Sequence, residues 1–265
     1  MSRQDLEADP EGRNEAIQGF EPDFVAPMVF DDETLGVIAV ASPGSQSENV
    51  RAVLRLIAQA GAQALHHAAA FIQMKIHADL DGLTGIFNKR QMTQTLGEMV
   101  ASAGGAPLAL FLFDIDHFKN YNDANGHVAG DRLLQALARR VQQSIRKDDV
   151  FGRFGGDELL LILPDTPLSQ ALVVADKIRA AIAEDDFPFA ARQPLGVVSV
   201  SGGVAHYPAD ASDAVNLLRA ADGALYEAKR LGRNRVLAAS PQYLSSPENA
   251  RADIPADLER KAGPA

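Results

Sequence analysis

The sequence predicts an α/β (α+β) fold: a sheet covered by helices, preceded by a β-hairpin and one long helix. Three observations predict it. From Asn88 onward, helical periods alternate with apolar runs of strand length, such as Leu108 to Phe113, which is the pattern of a sheet with helices packed on it. A Gly155-Gly156 pair separates the apolar runs Val150 to Phe154 and Asp157 to Leu163, a hairpin signal with a type I′ or II′ turn. Between Glu48 and His77, apolar residues recur every three or four positions, which signals a helix.

Taken in order, residues 1–24 are polar and aperiodic and are expected to be disordered. Two apolar runs, Pro27 to Phe30 and Leu35 to Ala41, flank Asp31-Asp-Glu-Thr34 and read as a hairpin with a four-residue turn. A loop follows, and Ser47 can cap the long helix. That helix carries a seam of Leu54, Ala58, Gly61, Leu65, Ala68, Ile72 and Ile76. The seam can lie on the helix's own domain or pair with a second chain, and both readings stand on the seam alone. Further helices are expected at Asn88 to Val100, Asp131 to Arg146, Leu168 to Glu184 and Ala214 to Leu231. Strands are expected at Leu108 to Asp114, in the Gly-Gly hairpin, at Gly196 to Ala205 and near Arg235 to Leu237. Residues 239–265 are rich in Pro, Ala and charge without a period, and disorder is expected.

Bulk composition narrows the function. The chain has 265 residues, 46% hydrophobic and 23% charged, enough for a buried core. It has no cysteine, which excludes disulfides, thiolate metal sites and a thiol nucleophile. Its start has no apolar run, and no apolar run nears the ~20 residues that cross a bilayer. A cytoplasmic location without a membrane segment is expected. The net charge of -10 disfavours a nucleic-acid or anionic-membrane surface, so any bound nucleotide needs local cations and metal.

The candidate chemistry lies in four places. Asp114 and Asp116 end an apolar strand, and alternation puts them on one side with Ile115 on the other. Such carboxylates either face water or repel each other until a cation joins them. Gly155 and Gly156 permit positive φ and let a ligand approach the backbone, ahead of Asp157 and Glu158. Carboxylates on neighbouring strands beside such a tip can hold Mg²⁺ and admit a nucleotide phosphate. Lys119 can meet phosphate, and Asp131 either caps a helix or accepts N–H groups from a guanine edge. Lys229 and Arg233 lie four apart at the end of the last long helix, where cations also complement the helix dipole.

Together these segments resemble the GGDEF family, the bacterial diguanylate cyclases, over residues 79–238. Asp81-Gly-Leu-Thr-Gly-Ile-Phe-Asn-Lys-Arg90 is similar to the family's opening motif. Phe113-Asp-Ile-Asp-His-Phe-Lys119, Asn122-Asp, Gly126-His and Gly130-Asp131 are similar to its first metal strand and base pocket. Arg153-Phe-Gly-Gly-Asp-Glu158 is similar to its signature hairpin, and Val200 to Ala205 and Ala221 to Lys229 with Gly232-Arg-Asn to its closing strand and helix. The resemblance implies a polymerase-palm, nucleotidyl-cyclase-like sheet. It implies condensation of two GTP into cyclic di-GMP and two pyrophosphates, a nucleotidyltransferase reaction of bacterial second-messenger signalling that sets biofilm against motility. Asp114, the Ile115 carbonyl and Asp157 would bind Mg²⁺, or Mn²⁺ in its place. Asn122 and Asp131 would read guanine, and Lys119, Lys229 and Arg233 would hold the triphosphate. Gly155 and Gly156 would admit the substrate, and Asp157 and Glu158 would be the catalytic carboxylates. Arg146-Lys-Asp-Asp149 is similar to the family's R-x-x-D site for inhibition by cyclic di-GMP. Leu159 departs from the family, which has Phe there. Residues 25–78 resemble part of a GAF domain, a hairpin and a signalling helix able to pair two copies into a homodimer. The alternative is a non-catalytic module that binds GTP or cyclic di-GMP.

Overall fold

The computed structural model describes residues 24–40 and 48–244, with side chains 71–78 left aside. The expected disordered start, the Ser47 cap and residues 245–265 of the expected disordered tail lie outside the described residues. The chain divides into two compact units, at residues 1–78 and 79–265.

In the first unit, β1 (Phe24–Phe30) and β2 (Glu33–Val40) pair antiparallel, and α1 spans Glu48–Asp79. The turn is two residues rather than four: Asp31 and Asp32 sit at φ 48° and 64°. Type I′ turns need positive φ at both centres, which Asp tolerates better than most residues. Ala26, Leu54 and Ala58 form a small buried core with Met28, Ile38 and Val40 against it. The first members of the expected seam are therefore covered by the hairpin, whereas Leu65 is exposed.

The second unit is built on a five-stranded sheet of order β4-β5-β3-β6-β7. Its strands are β3 (Leu108–Ile115), β4 (Val150–Arg153), β5 (Glu158–Pro164), β6 (Val200–Tyr207) and β7 (Val236–Ala238). Only the β6–β7 pair is parallel. All eight residues of β3 are buried, because helices cover both faces. Alternation sorts them: Phe111 and Phe113 join one core with Leu159, Leu161 and Val204, while Leu110 and Leu112 join the other with Leu160 and Ile162. The first core takes α4 (His127–Gln142) and α5 (Leu168–Ala183); the second takes α2 (Lys89–Ser102) and α6 (Ala214–Arg230). Asn88 and Asp213 cap α2 and α6 by accepting the backbone N–H groups of Gln91 and Asn216.

Several elements and boundaries differ from the sequence expectation. A short helix, α3 (Phe118–Asn125), occupies a stretch too polar to show a period. Gly126, at φ 84°, breaks the chain there and lets α4 begin at His127 rather than Asp131 and end at Gln142 rather than Arg146. Strand β6 begins at Val200, four residues later than expected, and runs to Tyr207. Within the expected tail, Pro241–Leu244 form a helical turn, α7.

Candidate active site

Asp114 stands at the end of β3, paired with Glu158 of β5 on one side and Ser201 of β6 on the other. It is buried, and the Lys229 ammonium lies 2.9 Å from its Oδ2. Burial pushes its carboxyl up to about 7; Lys229 opposes this, while the neighbouring charges of Asp157 and Glu158 add to it. The charges of Asp157 and Glu158 thus act on buried Asp114 with Lys229 as its paired cation, an arrangement that calls for further positive charge.

Asp116 belongs elsewhere. Strand β3 stops at Ile115, so the expected alternation does not reach Asp116. Its buried carboxylate accepts the hydroxyls of Ser199 (2.6 Å) and Ser201 (2.7 Å) and the backbone N–H of Asn234 (3.0 Å). The two aspartates of the strand end are therefore not a joint cation site.

The signature hairpin holds its register, with Arg153 opposite Leu159 and Leu159 opposite Phe113. Leu159 is fully buried in the space where the family has Phe, beside the stacked rings of Phe113 and Phe151. The connection is longer than a two-residue turn: the N–H groups of Phe154 and Gly155 both donate to the Glu158 carbonyl. Neither glycine needs positive φ, so the expected I′ or II′ turn is not formed. The glycines serve approach instead. A Cβ on Gly155 would meet Glu158 Oε2 at 2.4 Å, and one on Gly156 would face open space. Arg153 braces this tip. Its Nε and Nη2 donate to the Gly156 carbonyl at 3.0 and 2.6 Å, and its Nη1 reaches Asp81 at 3.2 Å. Asp81 also accepts the N–H and hydroxyl of Thr84. Burial works against the Asp81 charge, but the bonds from Thr84 and Arg153 outweigh it and hold the carboxyl below its ordinary range.

Lys229 lies in the last turn of α6, but Arg233 does not, because the helix ends at Arg230. Arg233 and Asn234 instead turn at φ 63° and 45°. Glu158, Leu225, Tyr226, Lys229, Arg230 and Arg233 line a cleft of about 610 Å³ together with Asp222. Its cations offset the net charge of -10 where an anion would enter.

Asn122 and Asp131 come from successive helices. Asn122 presses against α4 where Gly130 lacks a side chain; a Cβ there would lie 1.8 Å from Asn122 Oδ1. That oxygen is buried with no hydrogen-bond partner among the described residues, an acceptor in want of a donor. Asp131 is exposed in the second turn of α4 and is not a cap. Lys119 is exposed in the first turn of α3. Arg146 is exposed and Asp149 half-buried in the turn before β4, where Asp149 accepts the Arg146 backbone N–H at 2.7 Å.

The sequence reading did not assign Arg153, Asp81, Ser199, Ser201 or Asn234 a role. Arg153, Asp81, Ser201 and Asn234 stand inside the family-like motifs, which was the available signal; Ser199 lies just before one of them. Ser199, Ser201 and Asn234 reach Asp116 only through the packing of chain segments far apart in sequence.

A helix-covered sheet with carboxylates at a central strand end, a glycine-tipped hairpin and a cationic cleft has the architecture of a nucleotidyl cyclase. The family model "Diguanylate cyclase, GGDEF domain" matches residues 78–235, and the chain belongs to that family. It is 41% identical over 169 residues to the diguanylate cyclase DgcM of Escherichia coli, covering 63% of this chain and 40% of DgcM. It is 39% identical over 159 residues to the response regulator PleD of Caulobacter vibrioides, covering 59% of this chain and 35% of PleD. The chain thus spans less than half the length of these curated relatives. The solved coiled coil and GGDEF domain of DgcB from Caulobacter crescentus, in complex with c-di-GMP, superposes with a TM-score of 0.62 at 29% identity, covering 73% of this chain and all of that one.

Proposed function

We propose that the protein is a diguanylate cyclase that condenses two GTP into cyclic di-GMP and two pyrophosphates. The observation that carries this reading is buried Asp114 at the strand end, ion-paired to Lys229 at 2.9 Å and opposite Glu158, where Glu158, Lys229 and Arg233 line a cationic cleft. It is an arrangement for a nucleoside triphosphate and a dication.

Magnesium fits the donors. Among the described residues no three acidic or histidine side chains form a metal cage. Asp114, Asp157 and the Ile115 carbonyl would hold the ion, with water and phosphate oxygens as its further ligands. The raised Asp114 carboxyl is what a bound dication would reverse. Bound magnesium would draw charge from the phosphates and lower the pKa of the attacking 3′-hydroxyl.

The chain's own residues do the rest. Asn122 and Asp131 hold the guanine edge, and adenine lacks the N–H pair that Asp131 would accept. Lys229, Arg233 and Lys119 hold the triphosphate, so Lys229 leaves Asp114 when the nucleotide arrives. Gly156 lets phosphate approach the backbone. Asp157 or Glu158 accepts the hydroxyl proton. Each domain takes one GTP, so two copies must face each other, and the hairpin and helix of residues 25–78 act as the pairing and signalling arm. Arg146, exposed on its turn, and Asp149 form the product-inhibition site.

Purified protein incubated with GTP and Mg²⁺ should yield cyclic di-GMP and pyrophosphate by chromatography, and Asp157→Ala should yield none. GTP binding without product in a dimeric sample would instead favour a binding module.

A further inference from the structure

Arg233 is asked to hold a triphosphate from a loop, where a long side chain has no helix to fix it. Its own backbone and that of Asn234 both sit in the left-handed region, at φ 63° and 45°. Asn visits that region readily, but Arg there is uncommon and persists only where its surroundings enforce it. The enforcement is visible. The Arg233 N–H donates to the Ala228 carbonyl at 3.1 Å, and its carbonyl accepts Nε of Arg235 at 2.9 Å. The Asn234 N–H donates to Asp116 Oδ2 at 3.0 Å, and the Asn234 amide oxygen accepts Nη1 of Arg179, from α5, at 2.9 Å.

Asp116 is the hub of this fastening. It is 5% exposed and spends both carboxylate oxygens on Ser199, Ser201 and Asn234. Its own N–H donates to the Ser199 carbonyl at 2.9 Å. It therefore ties the loop of Arg233 to the end of the strand that carries Asp114. We propose that Asp116 is a positioning residue for the reaction: through Asn234 it sets Arg233 over the phosphate site at a fixed place relative to Asp114. This rests on the cyclase reading, since Arg233 matters only if a triphosphate enters the cleft. A carboxylate suits the task, because two oxygens can serve three donors in a space closed to water.

The test is equilibrium binding of GTP and of guanosine to the full chain, wild type against Arg233→Ala, Asp116→Ala and the double variant. Arg233→Ala should weaken GTP by roughly tenfold, the factor that accompanies loss of one charged contact. Asp116→Ala should weaken GTP by a similar factor and leave guanosine unchanged. The double variant should bind GTP no worse than Arg233→Ala alone, because Asp116 acts through Arg233. Additive losses, or equal weakening of guanosine, would overturn the proposal and leave Asp116 a fold-stabilising residue. If Asp116→Ala does not fold, Arg179→Ala loosens the same loop from α5. It should raise the GTP dissociation constant a few-fold with guanosine unaffected, and no change would count against the idea. A wild type that binds no GTP would defeat the cyclase reading itself, which the Arg233→Ala comparison separates from failure at Asp116.

Discussion

Arg153 joins two motifs that lie 72 residues apart, and that single side chain shows what a linear reading misses. Its guanidinium holds the Gly156 carbonyl with two N–H groups and Asp81 with a third. The ion pair is partly exposed, and such pairs contribute about 0–1 kcal/mol to stability. Its value is geometric: the glycine tip, proposed to admit phosphate, has no side chain of its own to fix it. Arg153→Ala should leave the melting temperature nearly unchanged while turnover falls by roughly tenfold to a hundredfold, the penalty for misplacing reacting groups by about 1 Å. Turnover assays beside thermal melts check this, and a large drop in melting temperature would make Arg153 a stability residue instead. The candidate site residues could be picked out because each sits in a short motif with its own chemistry. Their partners were not. Two residues after Asp114, Asp116 was expected either to face water or to share a cation with it, and only the end of β3 at Ile115 turns it toward Ser199, Ser201 and Asn234.

At the scale of elements, strands were legible where both faces are buried, because β3 and β5 are then unbroken apolar runs. Helix α3 was not, since its eight residues bury only Tyr121. Helix α1 was legible as a helix, but not in which face it uses. Its Leu54, Ala58 and Ala62 are buried, the first two against the unit's own hairpin. Val53, Ile57, Ala60 and Ala64 form an exposed stripe spaced four, three and four apart, flanked by Leu56 at 66% exposure. That is the spacing of a coiled-coil seam. The pairing that the proposed two-substrate reaction would require is therefore expected on this stripe and not on Leu54 and Ala58. Ile57→Asp should turn a dimer into a monomer in light scattering and abolish cyclic di-GMP formation, while each monomer still binds GTP. Should Ile57→Asp remain dimeric, the stripe is not the pairing face.

Charge and stability meet at the scale of the whole molecule. A chain with net charge -10 buries Asp114 beside Asp157 and Glu158, with Lys229 as the facing cation. The Asp114 carboxyl, ordinarily at 3.8, is raised to about 7, so the metal-free folded state holds a proton that the unfolded chain releases. A raised folded value stabilises fully below the ordinary one and is lost as pH climbs through the folded one. Metal-free protein should therefore lose stability between about pH 4 and pH 7 from this group, at no more than about 1.4 kcal/mol per pH unit for one proton. Dication binding favours the charged form and should flatten the profile, so Mg²⁺ should raise the melting temperature more at pH 8 than at pH 5. Asp114→Asn cannot ionise, so it should show the flattened profile without metal and gain little from Mg²⁺. Denaturant melts across this range, with and without chelator, check both. A metal-free slope that survives in Asp114→Asn would assign it to another group and count against a dication held by Asp114.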